Sequence, residues 1–422
     1  MNAPIDSTTR SKTRWAVVLA CTLVAVSEGI DIVVYGVSIP LFIEDGALEI
    51  NQGTAGHIGS LTFLGMLIGG VSAGKICQKA QLRTIILTGF IAFTVLTALV
   101  AASQATWQLG TLRFLAGLGL GVVLPATLSL ARQYTAAKDS ALAISVVMAG
   151  IPIGGTVATL LAQVVSRFSS WHLLFACSAV VGLVLFVAIW TILPRSESAD
   201  GGSPENAAPW SSLFRRRTLP ILLFGIVATL FDLLAFYGVS TWLTQLMREF
   251  GVPLNSSLQI TLVLNIGSIF GMIVAGAVAV RLGTRRIAAF AGLISAAGLF
   301  AIASQTLSSV LLLIVVALVG ISTNTAQTLV NTLVGDSFSP SQRSAALGMT
   351  LGMGRLGAVI APTLGGTILS AGLGASWVLV SFGVAALIGM AALLGFNRRL
   401  IEQARDNDEV ADEPVQDLSH QS

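Results

Sequence analysis

Twelve stretches of this chain are apolar for close to 20 residues each, the length an α-helix needs to cross a hydrocarbon core about 30 Å thick. They cover residues 15–42, 56–77, 84–105, 109–130, 141–165 and 171–193, then 221–246, 258–280, 287–303, 310–334, 346–369 and 377–396. Inside a bilayer the backbone must satisfy its own hydrogen bonds, so each stretch is predicted to be a helix. Composition agrees: 54% of the 422 residues are hydrophobic, 10% are charged and the mean hydropathy is +0.85, too apolar for a soluble protein of this length. The expectation is an all-α membrane protein of twelve transmembrane helices, with the lipid bilayer as its partner.

Basic residues in short loops stay on the cytoplasmic side. With the N-terminus inside, nineteen Lys and Arg residues fall in cytoplasmic segments, and only Arg167 and Arg248 fall outside. Both termini are therefore expected in the cytoplasm, and the net charge of +3 reports topology rather than nucleic-acid binding. Fourteen mostly polar residues precede the first span with no small-residue cleavage site after a short apolar core, so no cleavable signal is expected. Cys21, Cys77 and Cys177 are scattered on or near helices and read as packing residues; no metal site or disulfide framework is implied.

At 194–218 the apolar pattern gives way to Ser, Gly, Pro and acidic residues ending in Arg215, Arg216 and Arg217. This divides the chain into a tail at 1–14, a six-helix half at 15–193, a cytoplasmic linker at 194–218, a second half at 219–396 and a tail at 397–422. The halves repeat. Tyr35-Gly36-Val37-Ser38 recurs as Tyr237-Gly238-Val239-Ser240, and Gly74 recurs as Gly276, both 202 positions on; Ser140-Ala141-Leu142 aligns with Ala345-Ala346-Leu347 at an offset of 205. Parallel six-helix repeats resemble the plan of the major facilitator superfamily. The loop after span eight, Gly276 through Arg281, Gly283, Arg285 and Arg286, is similar to that superfamily's Gly-acid-basic loop signature, with Val280 in place of the acid. The loop after span two, with Gly74, Lys75, Lys79 and Arg83, is a degenerate copy in which Gln78 stands where the family has Asp. The resemblance implies a gating role for Gly74, Gln78, Lys79, Arg83, Gly276, Arg281, Gly283 and Arg285, and a cytoplasmic latch without its usual charge-assisted hydrogen bond. The alternative is a merely positive cytoplasmic loop.

Within the superfamily, Glu28-Gly29-Ile30-Asp31 resembles the first-span signature of the aromatic acid:proton symporter family. Arg113-Phe114-Leu115-Ala116-Gly117 through Gly121 matches that family's Arg-and-glycine helix. Pro340, Arg343 and Gly354-Arg355-Leu356-Gly357, followed by Pro362, Gly365 and Gly366, resemble its segment through span eleven. The similarity covers the membrane region and implies a secondary transporter rather than an enzyme, with protons as coupling ion and no cofactor.

A carboxylate or guanidinium in hydrocarbon costs roughly 3 kcal/mol or more, so the intramembrane charges Glu28, Asp31, Arg113, Asp232 and Arg355 are the functional candidates. Glu28, Asp31 and Tyr35 share one helical face. Asp31 is the first choice for the proton carrier and Glu28 the second; two acids one turn apart titrate as a pair. Arg113 is expected in coupling or structural pairing, and Asp232, near the repeat-equivalent position in span seven, as either a second relay acid or a counter-ion. Arg355 lies twelve residues, about 18 Å, beyond the cytoplasmic Arg343. It is expected either to hold a substrate carboxylate in a bidentate fork or to form a structural salt bridge. Asn324, Gln327 and Asn331 form a polar stripe suited to ring hydroxyls or to interhelical bonding. Phe236, Tyr237 and Tyr35, and less directly Trp242, are candidates for an aromatic wall; aromatics near span ends also serve as interfacial anchors. His57 and His172 read as solvated cap residues. The Gly-Pro clusters at Pro152-Ile153-Gly154-Gly155 and Pro362-Thr363-Leu364-Gly365-Gly366 suit close helix approach.

The expected function is proton-coupled import of a small aromatic carboxylate of the benzoate, hydroxybenzoate, protocatechuate, gentisate or vanillate type, by a chain acting as a monomer. The alternatives are a proton-driven drug or metabolite exporter of the same fold and a substrate sensor that does not transport.

Overall fold

The computed structural model describes residues 7–136, 139–168, 170–194, 213–216 and 218–396; the side chains of 7–14, 141, 274–278, 280, 340, 341 and 344 also lie outside that description. Most of the expected linker and the 397–422 tail are therefore outside it, as are Lys138, Arg195, Arg217, Arg398, Arg399 and Arg405.

Twelve long helices are present among the described residues. They are α1 (Ser7–Asp45), α2 (Gln52–Lys79), α3 (Leu82–Val100), α4 (Thr106–Gln133), α5 (Ser140–Val165) and α6 (Trp171–Ile192), then α7 (Leu219–Glu249), α8 (Leu254–Leu282), α9 (Thr284–Ala303), α10 (Ser309–Ser337), α11 (Pro340–Ser370) and α12 (Ala375–Leu394). Each contains a stretch long and apolar enough to cross a membrane. The helices outrun most of the apolar stretches because hydropathy marks the hydrocarbon, whereas a helix ends where its backbone is capped. Asn51 accepts from Thr54 N ahead of α2, and Ser170 and Ser308 accept from Leu173 N and Leu311 N ahead of α6 and α10. Only α3 stops clearly short, at Val100 rather than 105.

Glycines set the packing within each half, and they set it twice. On α2 and α4, Gly65 and Gly117 face the backbone of the opposite helix so closely that a Cβ would collide with Phe114 O or Thr62 O. On α8 and α10, Gly271 and Gly320 do the same against Ile321 O and Leu264 O. The α1–α5 pair, through Gly29 and Gly154, likewise matches the α7–α11 pair, through Gly357. Equivalent arginines close each half: Arg83 Nε donates to Leu193 O (3.2 Å) at the end of α6, and Arg285 Nη2 donates to Leu394 O (2.6 Å) at the end of α12. The repeat read from short sequence matches is thus a repeat of helix contacts.

The halves meet along α1, α2 and α5 on one side and α7, α8 and α11 on the other. At the end far from the termini, Arg248 Nη2 pairs with Glu44 Oε1 (2.6 Å), and Gln52 Nε2 donates to Glu249 Oε1 (3.2 Å). Deeper in, Gly36 lies against the backbone of Ser240 and Thr241, so the two Tyr-Gly-Val-Ser repeats face each other across the seam. Thr363 Oγ1 donates to Ser60 Oγ (2.7 Å), and its hydroxyl is 3.4 Å from His57 Nδ1. The far end is closed. Towards the termini end, Gly74 and Gly352 have open space where a side chain would point.

Candidate functional site

The strongest charge interaction lies inside the first half. Asp31 on α1 and Arg113 on α4 are 3% and 1% exposed, and Arg113 Nη1 donates to Asp31 Oδ2 at 2.8 Å. Arg113 Nη2 reaches the Asp31 carbonyl (3.2 Å) and its Nε reaches Thr62 Oγ1 (3.1 Å), so the guanidinium spends three donors on α1 and α2. Thr97 on α3 donates to Asp31 Oδ1 at 2.6 Å. Tyr35 completes the cage: its ring centroid is 5.3 Å from the guanidinium carbon, and its hydroxyl donates to Ala55 O at 2.5 Å. Two buried charges are tolerated when paired and hydrogen-bonded in this way, and each becomes costly if the other leaves.

Glu28 sits one turn from Asp31, 2% exposed, with Oε2 lacking a hydrogen-bond partner among the described residues. The charges acting on it are Arg355, attractively, and Asp31, repulsively. Arg355 is half-buried on α11, and the one hydrogen bond it makes among the described residues crosses the seam from Nη1 to Met66 O (3.0 Å). It fits there because Gly70 has no side chain; a Cβ at that position would lie 2.8 Å from Nη1. Among the described residues the other four guanidinium donors have no hydrogen-bond partner. Tyr237 joins this group through the charges of both Glu28 and Arg355, and stands between Phe63 (centroids 4.7 Å) and Phe236 (5.0 Å).

The structure therefore sets Arg355 at the seam, with Tyr237 and Phe236 on α7, and Asp31 with Arg113 inside the first half, one turn of α1 from Glu28. On α10, Gln327 Nε2 donates to Asn331 Oδ1 (3.3 Å), while Asn324 Nδ2 and Gln327 Oε1 are unpartnered among the described residues. That is a stripe with spare capacity. Asp232 on α7 is buried with Oδ2 unpartnered and forms no ion pair among the described residues, so its reading as a counter-ion finds no cation.

Other expectations change. Tyr35 is not a free wall aromatic, because its hydroxyl and ring are committed inside the first half. Trp242 is neither wall nor interfacial anchor: it is fully buried and donates from Nε1 to Pro362 O (3.0 Å). Arg83 and Arg285, expected at the gate, donate from the first turns of α3 and α9 to the ends of α6 and α12 within their own halves. Gly74, Gln78, Lys79 and Arg281 are exposed, and Gly283 takes the positive φ of 91° that lets α8 turn into α9. The packing around Gly276 lies outside the described residues.

Sequence reasoning missed Phe63, Met66, Gly70 and Asn265. Asn265 on α8 donates to Thr261 O (3.0 Å) and presents Oδ1 to Gly155 of the other half. A lone Asn in an apolar span was a usable signal; Met66 acts through its backbone and gave none. Among the described residues no group of three His, Cys, Asp or Glu is placed to hold a metal.

Comparison with known proteins agrees with this architecture. The sequence matches the profile of the Major Facilitator Superfamily over residues 21–304 and 260–417. It is 31% identical to a gentisate transporter of Corynebacterium glutamicum, covering 90% of this chain and 87% of that one. It is 28% identical to a benzoate transport protein of Acinetobacter baylyi, covering 100% and 96%. Among solved structures, a D-xylose-proton symporter superposes with a TM-score of 0.74 at 14% identity, covering 91% of this chain and 97% of that one. A bacterial homolog of the human lysosomal transporter Spinster, in an inward-facing and occupied conformation, gives 0.73 at 17% identity, covering 94% and 98%. With its profile match, its relatives and its two six-helix halves, the chain belongs to the Major Facilitator Superfamily, a superfamily of membrane transporters rather than enzymes.

Proposed function

We propose that this chain is a proton-coupled importer of an aromatic carboxylate in a bacterial cytoplasmic membrane, working as a monomer and needing no cofactor besides the coupling proton. The relatives named for gentisate and benzoate support the substrate class. The distribution of Lys and Arg supports cytoplasmic termini. The far end of the seam is then the outer face, and the structure is closed to the outside. Residues 15–193 and 219–396 act as the two rocking bodies, joined by the 194–218 linker and flanked by cytoplasmic tails at 1–14 and 397–422.

This reading is carried by a buried Asp31–Arg113 pair one turn from Glu28, with the Arg355 guanidinium reaching across the seam to Met66 O. A substrate carboxylate takes the free donors of Arg355 in a planar fork, with Phe63, Phe236 and Tyr237 beside its ring and the α10 stripe within its polar reach. Once Arg355 is engaged, Glu28 loses its compensating cation and a proton on the Glu28–Asp31 pair becomes favourable. Protonation of Asp31 frees Arg113 and loosens α1 from α4. The halves then rock about the seam, and substrate and proton leave together on the open side. Opening the outer face breaks Arg248–Glu44, which is partly exposed and is worth no more than about 1 kcal/mol.

The test is uptake of labelled gentisate, benzoate, hydroxybenzoates, protocatechuate and vanillate by cells expressing the protein, with and without a protonophore. Protonophore-sensitive accumulation of at least one of these acids is expected. Accumulation of none, or accumulation that the protonophore leaves intact, contradicts the reading.

A further inference from the structure

A cavity lies between α1, α3 and α6, on the side of Asp31 away from Arg113. Ser27, Asp31, Thr94, Thr97 and Ser178 supply its polar wall, and its volume is about 10 Å³. That is close to the least space that holds one water, and a buried water needs two to four polar partners.

Thr94 is the informative residue. Many buried hydroxyls in this bundle bond the carbonyl four residues back, as Thr127 does to Val123 O, Thr159 to Gly155 O and Ser178 to Leu174 O. The Thr94 hydroxyl, on a residue 2% exposed, has no partner among the described residues, like those of Ser103, Thr229, Ser295 and Thr350, and of these it is the one that lines the cavity. An orphaned buried hydroxyl is destabilising unless a water meets it. Gly182 makes room for it, since a Cβ there would lie 2.9 Å from Thr94 Cγ2. The two carboxylate oxygens of Asp31 also face different partners. Arg113 holds Oδ2, whereas Oδ1 is held by Thr97, itself a cavity residue.

We infer that one water occupies this cavity, bridges the Thr94 hydroxyl to Asp31 Oδ1, and is the contact through which Asp31 exchanges its proton, with Thr94 as the positioning residue. The inference rests on the reading of Asp31 as proton carrier. In the step, a protonated water transfers its proton to Oδ1, leaving neutral water and a carboxyl; release reverses it, and nothing is oxidised or reduced. Because the exchange occurs on the Oδ1 side, substrate in the seam does not obstruct it. On its own helix Asp31 has Glu28 and Tyr35 beside it, with Cys21, Glu44 and Asp45 further along; of the helices packed against α1, α4 carries Arg113 and Arg132, and α7 carries Asp232, Tyr237, Arg248 and Glu249. Of the rest, α2 carries His57 at its outer end and Lys75, Cys77 and Lys79 at the other, α3 carries only Arg83 at its opposite end, α5 carries none, and α6 carries Cys177 and His172.

The experiment compares parent, Thr94→Val, Thr94→Ser and Asp31→Asn in proteoliposomes, using the labelled acid taken up most strongly by the parent. Exchange of labelled for unlabelled acid is measured beside net uptake driven by an imposed pH gradient, across a range of pH. Thr94→Val, nearly the same shape without the hydroxyl, should keep exchange but lose about tenfold or more of net uptake and shift its pH profile, as for a displaced proton-transfer group. Thr94→Ser should behave as the parent. Net uptake and a pH profile unchanged in Thr94→Val overturn the inference, as does a loss of exchange that accompanies the loss of net uptake. Uphill accumulation by Asp31→Asn overturns instead the underlying assignment of the carrier.

Discussion

Replacing Arg113 with Gln leaves Asp31 as a carboxylate that is 3% exposed, with Thr97 as a remaining side-chain partner. Breaking a buried ion pair from one side costs about 3–5 kcal/mol. Asp31 has an escape that Arg113 lacks, since it can take up a proton. From an ordinary Asp value of about 3.9, protonation at pH 7 costs about 4 kcal/mol, which caps the penalty, and the cost falls by about 1.4 kcal/mol for each pH unit of acidification. The sign follows from linkage. The folded variant then binds a proton that its unfolded chain does not, so its stability relative to the parent rises as pH falls from about 7 to 5. Asp31→Asn strands a guanidinium that stays charged throughout that range, so its deficit should be nearly flat. The double variant removes both charges and should recover stability, with a coupling of about 3 kcal/mol between the sites. Thermal unfolding of the four purified proteins in detergent, over that pH range, measures all of this. Equal pH slopes for the two single variants, or a coupling below about 0.5 kcal/mol, would refute the reasoning.

Arg355→Lys should fold and reach the membrane yet bind aromatic acids at least about tenfold more weakly, because an ammonium cannot reproduce the fork; unchanged affinity would reduce Arg355 to a seam contact with Met66. Glu28→Gln should lower uphill accumulation about tenfold while leaving exchange, and normal accumulation would place the proton elsewhere. Gly36→Val puts a side chain where Thr241 O stands 2.8 Å from the would-be Cβ, so it should prop the outer face open and speed labelling of a single cysteine in the outer half of the seam; slower labelling would contradict the packing. Gln78→Asp should restore a charged latch worth about 1 kcal/mol more than a neutral one and shift the balance severalfold towards outward-facing states in the same assay. Unchanged labelling would show that this loop does not set the balance.

The helices were legible because each membrane crossing leaves an apolar signal about 20 residues long, although their ends, set by caps, were not. The repeat was legible from Tyr-Gly-Val-Ser at 35–38 and 237–240, since Gly36 faces the second copy directly. The candidate charges were legible for the energetic reason that hydrocarbon tolerates few. Their pairing was not, because Asp31 and Arg113 are 82 positions apart and only the fold brings α1 to α4. Tyr35 shows the same limit: one-face spacing placed it beside Asp31, but a backbone carbonyl on α2, which carries no sequence signature, takes its hydroxyl. Arg83 and Arg285 looked like gate residues from loop position alone, whereas each donates to a carbonyl at the end of α6 or α12, where the helix leaves its own acceptors unpaired.

If Asp31 couples proton movement to transport of an aromatic acid, neutralising it must separate the two. The most direct measurement is proton uptake recorded alongside labelled gentisate or benzoate entry into proteoliposomes, for the parent and for Asp31→Asn. Protons should enter with the acid in the parent, and Asp31→Asn should still exchange acid but neither accumulate it nor move protons. Proton entry with uphill accumulation in Asp31→Asn, or acid entry without protons in the parent, would contradict it.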